Sequence, residues 1–344
     1  MSIMANYWAE RGEDVTVLTL AEVGNDFYFL NPYVKRVGLG LLFPTTGVIS
    51  AIRANILRIK AIRHEIINIQ PDIIISFLDR INVLTLIAAK GTGIPVVISE
   101  RTDPSQISIG IIWNALRRKT YKYAKFVVVQ TDRIAIWVAK NIGGNVAVIP
   151  NPVLSQNNKS DIIEKLPYKH NIVAMGRLDY QKGFDLLLKA FARIASSYPE
   201  WGLTIAGDGE MRNEILNLVH NLSLQYQVDL PGRIENPWTQ LGNADIFVLS
   251  SRLEGFPNVL LEAMVCGVPP VSFDCPSGPA EIITDNYNGI LVSPENVEAL
   301  ALAIERLILQ PEERLRLSEN ARKIVNKYSV DNVMEQWDKL ILNV

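Results

Sequence analysis

Histidine and cysteine are scarce in this chain. Among 344 residues stand three histidines, His64, His170 and His220, and two cysteines, Cys266 and Cys275. The histidines are scattered and make no metal-ligand spacing. Two cysteines build neither a disulfide framework nor a zinc site, and such usage points to a reducing compartment. No apolar run approaches the roughly 18 residues needed to span a bilayer. Residues 1–20 lack a basic segment followed by an apolar one, so they do not read as a secretory signal. Charge of one sign is lacking as well. The net value is −2, with no basic excess to suit nucleic acid.

What is present is an ordinary globular composition, 48% hydrophobic and 20% charged, long enough for two domains. The charges are unevenly shared. Residues 1–168 carry 19 Lys and Arg against 13 Asp and Glu, and residues 169–344 carry 15 against 23. A half at +6 and a half at −8 imply different partners for each.

Near-continuous Val/Ile runs alternate with helical segments, which predicts parallel sheets covered on both faces. In the first half the strands are Val15–Leu20, Asp72–Ser76, Pro95–Ser99, Phe126–Gln130 and Val146–Ile149. Helices are expected from Met1 to about Gly12, over Ile52–Ile69 and over Asn82–Lys90. The polar stretch 151–170 reads as a linker. The pattern then restarts. Strands Ile172–Met175, Leu203–Ala206, Val228–Leu230, Ile246–Leu249, Val268–Phe273 and Gly289–Val292 interleave with helices Phe184–Ser196, Met211–Leu222 and Val297–Leu309. A last helix is expected near Val330–Leu342. The fold class is α/β, with two doubly wound domains facing a cleft. The domains are assigned to 1–160 and 161–329, with 330–344 packing back toward the first. Ligands of such sheets bind at the carboxyl ends of the strands.

The stretch Leu249–Gly267 carries the most chemistry. A strand ends, a polar loop with Glu254 and Gly255 follows, and a short helix begins near Pro257. Free amides at a helix N-terminus, with the macrodipole, suit a phosphate. Glu254 and Glu262 flank that point and suit hydroxyls attached to the phosphate. Phosphate between hydroxyl-bearing groups describes a nucleotide sugar. The plainer alternative makes Glu262 a dipole-complementing residue and Glu254 a solvated loop acid. Between another strand and helix, Gly176–Gly183 holds Arg177 and Lys182, which suit phosphate oxygens. Gly207-Asp-Gly209 is a tight turn without the third glycine of a dinucleotide fingerprint. Arg233 and Ile234 offer a shelf to a base, or form an ordinary turn. Over 107–126, apolar and aromatic residues interleave with five basic ones, which suits either an anionic membrane surface or a helix with a solvated basic face.

The segment Glu254-Gly-Phe-Pro-Asn-Val-Leu-Leu-Glu262 resembles the Glu-x7-Glu signature of retaining glycosyltransferases of family four, which have the two-domain GT-B fold. Arg177 and Lys182 match that family's phosphate-binding pair, and Ser277-Gly-Pro-Ala-Glu281 fits its usual run. Ser99-Glu-Arg-Thr-Asp103 resembles a subgroup that builds bacterial surface polysaccharides and lipid-linked oligosaccharides. The resemblance implies transfer of a hexosyl group, with retention, from a nucleotide diphosphate sugar, UDP-linked, to a saccharide or lipid-linked saccharide. It casts Glu254, Arg177 and Lys182 as the catalytic set. It places the donor on Glu262, Arg233, Ile234, Gly207, Gly255, Phe256 and the helix start at Asn258, Val259 and Leu260. The mechanism it implies needs no metal and no cofactor. The resemblance implies a cytoplasmic setting, peripheral on the inner face of the plasma membrane.

Two departures stand out. Many family members have a histidine where this chain has Glu100 and Arg101. The family's first strand and Gly-rich loop precede the helix that begins here at Met1, so the expectation is a first domain without them. The rival readings are an epimerase of the same fold and a catalytically degenerate nucleotide-sugar-binding protein.

Overall fold

The computed structural model describes residues 1–24, 28–154, 168–234 and 236–344. The chain divides into two compact units, one made of Met1–Pro152 with Val330–Val344 and the other of Val153–Ser329. Residues 155–167, most of the stretch read as a linker, lie outside the described residues.

In the first unit the order is α1 (Ser2–Glu10), β1 (Thr16–Thr19), β2 (Lys35–Gly38), α2 (Val48–Ile69), β3 (Ile74–Phe77), α3 (Asp79–Ala89), β4 (Val96–Ser99), α4 (Ile111–Thr120), β5 (Phe126–Val129), α5 (Asp132–Asn141) and β6 (Val146–Val148). Strands β3-β4-β5-β6 form one parallel sheet, while β1 and β2 form a separate parallel pair. Successive side chains of a strand point to opposite faces. Ile98, Val127 and Val129 accordingly pack with Ile62 and Ile66 of α2 and with Val83 and Leu86 of α3. Val97 and Val128 pack the other way, on Met4 of α1 and on Val333, Met334 and Trp337 of the C-terminal helix Val330–Ile341. Burying strands on both faces is what makes their sequence continuously apolar. Helix α1 spans the two sheets, because Ala5 and Ala9 pack on Val17 of β1. Among the described residues β1 pairs with β2 alone and β3 with β4 alone.

The second unit continues with β7 (His170–Met175), α6 (Phe184–Ala192), β8 (Trp201–Ala206), α7 (Arg212–Asn221), β9 (Val228–Gly232), α8 (Pro237–Gly242), β10 (Ile246–Leu249), α9 (Asn258–Val265), β11 (Pro270–Phe273) and β12 (Ile290–Val292). All six strands are parallel, in the order β12-β11-β10-β7-β8-β9. The chain winds outward from β7 through β8 to β9, then returns to β10 on the other side of β7. The order therefore reverses between β7 and β10, and a doubly wound sheet opens its ligand crevice at such a reversal.

Candidate functional site

The loops leaving β7 and β10 meet at that reversal. Gly176 follows β7, a single turn of tight helix covers Tyr180–Lys182, and α6 begins at Phe184. Asp179 caps the turn, its Oδ1 accepting from the Lys182 amide at 3.1 Å. Gly183 must be glycine on two counts. Its φ is +62°, and a Cβ there would stand 2.1 Å from the Ser250 carbonyl oxygen. The close approach lets Ser250 Oγ donate to the Lys182 carbonyl at 2.9 Å. The Lys182 side chain is thereby aimed across the gap.

Lys182 Nζ donates to Glu254 Oε1 at 2.7 Å, and Ser251 Oγ donates to the same oxygen at 2.6 Å. Glu254 is 8% exposed and Lys182 22%, so the pair is largely withdrawn from water yet open on one side. Arg252 fastens the two loops together. Its Nη1 and Nη2 donate to the two carboxylate oxygens of Asp185 at 2.8 and 2.9 Å, and Nη1 donates also to the Tyr180 carbonyl. Nε donates to Glu295 at 3.0 Å. Burial alone would raise the Asp185 carboxyl; hydrogen bonds and charge from Arg252, helped by Lys189, hold it below the ordinary range.

Helix α9 starts behind this pair. Pro257 is its N-cap, one residue earlier than a first-turn proline, and no side chain caps the helix. Its early amides therefore face the switch point unscreened by a cap. Gly267 closes the helix in a left-handed conformation, φ +78°. Glu262 lies in the second turn. It accepts no hydrogen bond from any described residue, and burial raises its carboxyl above the ordinary range. A half-buried carboxylate without a partner is an acceptor held ready for hydroxyls.

The structure places the other expected residues unevenly. Glu254, Lys182, Gly255 and the start of α9 at Asn258 and Val259 come together. Leu260 and Phe256 point into the core, and the Leu260 amide already donates to the Pro257 carbonyl at 3.1 Å, so Leu260 does not face a ligand as expected. Arg177 is 70% exposed and its Nε bonds Asp179 at 2.6 Å rather than joining Lys182 and Glu254. Gly207 follows β8, packed so closely that a Cβ would stand 1.8 Å from the Gly176 carbonyl oxygen. Arg233 is exposed and Ile234 half-buried at the end of β9. Glu100, at the end of β4 in the first unit, is fully buried and accepts from Tyr121 Oη at 2.7 Å. Residue-by-residue reading overlooked Ser251, Arg252 and Asp185. Arg252 and Asp185 are joined only by the fold, and no spacing announces their contact. No group of three or more His, Cys, Asp or Glu able to hold a metal occurs among the described residues.

Residues 3–155 match the family model described as "Glycosyltransferase Family 4", and residues 156–324 that described as "Glycosyl transferases group 1". The chain belongs to glycosyltransferase family four. This glycosyltransferase is 29% identical over 323 residues to the Campylobacter jejuni protein named GalNAc-alpha-(1->4)-GalNAc-alpha-(1->3)-diNAcBac-PP-undecaprenol alpha-1,4-N-acetyl-D-galactosaminyltransferase, covering 93% of this chain and 88% of that one. Among solved structures, sucrose-phosphate synthase from Thermosynechococcus elongatus aligns at a TM-score of 0.83 and 20% identity, over 99% of this chain and 91% of that one. Anabaena HepE in complex with UDP-glucose aligns at 0.78 and 19%, over 99% and 94%. These two likenesses concern the fold, which is GT-B with two Rossmann-like units.

Proposed function

We propose that this glycosyltransferase moves a hexosyl group, with retention, from a UDP-sugar to a saccharide acceptor carried on a lipid, in bacterial surface-glycan assembly. The observation that carries the reading is the Lys182–Glu254 contact at the sheet's switch point, beside an unpartnered Glu262. Glu262 accepts from the ribose hydroxyls and Glu254 from the donor sugar. The α9 amides and Lys182 hold the diphosphate, joined by Arg177 when it exchanges Asp179 for a phosphate oxygen. Gly207, Arg233 and Ile234 border the nucleotide. The bond from the anomeric carbon to the diphosphate oxygen breaks as the acceptor oxygen attacks from the same face, and the acceptor proton leaves with the departing phosphate. Positive groups already in place meet the charge that develops on the leaving group. In this scheme no metal and no protein nucleophile is needed. Support for the donor comes from HepE, solved with UDP-glucose. Support for a lipid-linked acceptor comes from the undecaprenol-linked substrate in the Campylobacter relative's name.

The test is transfer from UDP-sugars by Lys182→Ala and Glu262→Ala, with and without a chelator. Each substitution should cost about 10²–10³-fold in kcat/KM with circular dichroism unchanged, and chelation should cost nothing. Full activity in both variants would remove the assignment. Protection by UDP without any transfer would favour the donor-binding, non-catalytic reading instead.

A further inference from the structure

The loop that leads into β12 is built to hold one ring outward. The Thr284 amide donates to Asn288 Oδ1 at 2.7 Å, Asn288 Nδ2 to the Ile282 carbonyl at 3.2 Å, and the Leu291 amide to Asp285 Oδ1 at 2.9 Å. Asn320 Nδ2, from the helix Pro311–Arg322, pins the loop by donating to the Tyr287 carbonyl at 3.0 Å. The Tyr287 ring is left 47% exposed. Beside it lies an open cavity of about 320 Å³, lined also by Asn320, Lys323, Ile324, Asn326 and Lys327. The second half of the chain is acidic, yet this spot has the opposite sign. Residues 286–294 and 320–330, which supply the whole lining, hold Arg322, Lys323 and Lys327 and no Asp or Glu. Lys323 Nζ stands 6.0 Å from the Tyr287 ring centre and donates to Asn320 Oδ1 at 2.7 Å. Lys327 Nζ stands 5.0 Å from the Tyr328 ring centre. Neither ammonium is paired with a carboxylate among the described residues. Asp285, just before the loop's tip, has its two oxygens engaged by the Leu291 amide and Asn286 Nδ2.

We infer that this cavity is a saccharide site separate from the switch point, for a sugar that carries a carboxylate or a phosphate. Two ammonium groups without counter-ions supply charge-assisted donors to the anion. The exposed Tyr287 ring and Ile324 give the C–H face of a pyranose an apolar surface, with the phenol hydroxyl at its edge. A neutral sugar would leave the cations unused, and a bare inorganic anion would leave the ring unused. The loop is already fixed by its own hydrogen bonds, so little ordering is lost when a ligand enters. The cavity stands apart from the Lys182–Glu254 pair. A Cβ on Gly289 would stand 2.7 Å from Pro270 Cγ, and Pro270 is the first residue of β11. The loop is therefore at the amino ends of β11 and β12, whereas Lys182, Glu254 and the start of α9 gather at the carboxyl ends of the strands. An anionic sugar has two sources, a free sugar phosphate and an acidic residue of a glycan, and the chemistry of recognition is common to both. The inference is independent of the transfer reaction.

The test is isothermal titration of the full chain with glucose 1-phosphate and with a hyaluronan tetrasaccharide, against maltotetraose and inorganic phosphate as controls. Wild type should bind at least one acidic sugar, and each control about tenfold more weakly. Which acidic sugar binds tells whether the source is a free sugar phosphate or a glycan. Lys323→Ala with Lys327→Ala, and separately Tyr287→Ala, should each lower that affinity about tenfold. These side chains are exposed and the loop is held by Asn288 and by backbone groups, so Tm should persist. Lys182→Ala should leave this binding unchanged. A chain that binds acidic sugars in this way but transfers nothing would defeat the proposed function and leave this inference standing. Three results would overturn the inference: no binding of either acidic sugar by wild type; equal binding of maltotetraose or of inorganic phosphate; or loss of binding in Lys182→Ala but not in the Lys323 and Lys327 pair.

Discussion

Glu262 is raised by burial and has nothing to offset it, so the free protein holds a carboxylate at some cost. The sign follows from linkage. A carboxyl whose folded value lies above its unfolded one favours folding while protonated, and that advantage is lost as pH rises past the folded value. At neutral pH Glu262→Gln should therefore leave Tm unchanged or higher while abolishing the Tm increase expected from UDP on the proposed function. A thermal scan with and without UDP reads both; a lower Tm in the variant would mean Glu262 has a structural partner. Glu100 repeats the logic in the first unit. Burial pushes it to about 7 despite the opposing Arg117 charge and the Tyr121 hydrogen bond. Stability of this unit should fall as pH rises through about 7, and Glu100→Gln should flatten that slope in urea titrations. A slope that survives the substitution would assign it to another group. Glu254, Lys182 and Glu262 were legible in the sequence because each sits at a fixed offset from a strand end. The burial of Glu100 was not, since Tyr121 and Arg117 reach it from a helical region 17 or more residues along the chain.

At the scale of elements, strands announced themselves better than helices. An apolar run bounded by turn residues is a local signal. Helix α2 starts at Val48 rather than Ile52 because its N-cap is Gly47, with φ +86° and no capping side chain, so no start signal marks it. Helix α5, by contrast, has Thr131 accepting from the Ile134 amide, a cap readable in hindsight. What positions the site is also non-local. The bidentate Arg252–Asp185 pair ties the loop before α9 to the first turn of α6 across 67 residues. Arg252 is 8% exposed, so removing its guanidinium leaves Asp185 and Glu295 without their shared partner. Arg252→Ala should destabilise the second unit by about 1–3 kcal/mol. It should also lower kcat/KM more than Glu295→Ala does, because the Lys182 turn loses its anchor at Tyr180. Equal losses from the two variants would show that the Asp185 contact does not position the turn.

Over the whole molecule, two parallel α/β units were legible from the alternation of apolar runs and helical periods. The pairing within them was not. That β1 and β2 stand apart from β3–β6 depends on which edges meet in space, and no local pattern encodes it. Among the described residues each buried apolar cluster lies within a single unit: two in the second, and three in the first, which includes the C-terminal helix. Ligand binding stabilises what it touches by mass action, about 2.7 kcal/mol at a hundredfold excess over Kd. On the proposed binding of UDP through Lys182, Glu262 and the α9 amides, that stabilisation belongs to the second unit. Amide exchange should therefore slow over residues 176–183 and 254–262 and in β7 and β10. The slowest amides of β4 and β5, whose core is separate, should keep their rates. Protection appearing in β4 and β5 with equal magnitude would mean that the two units open as one cooperative body, and the stabilisation could not then be assigned to the second unit alone.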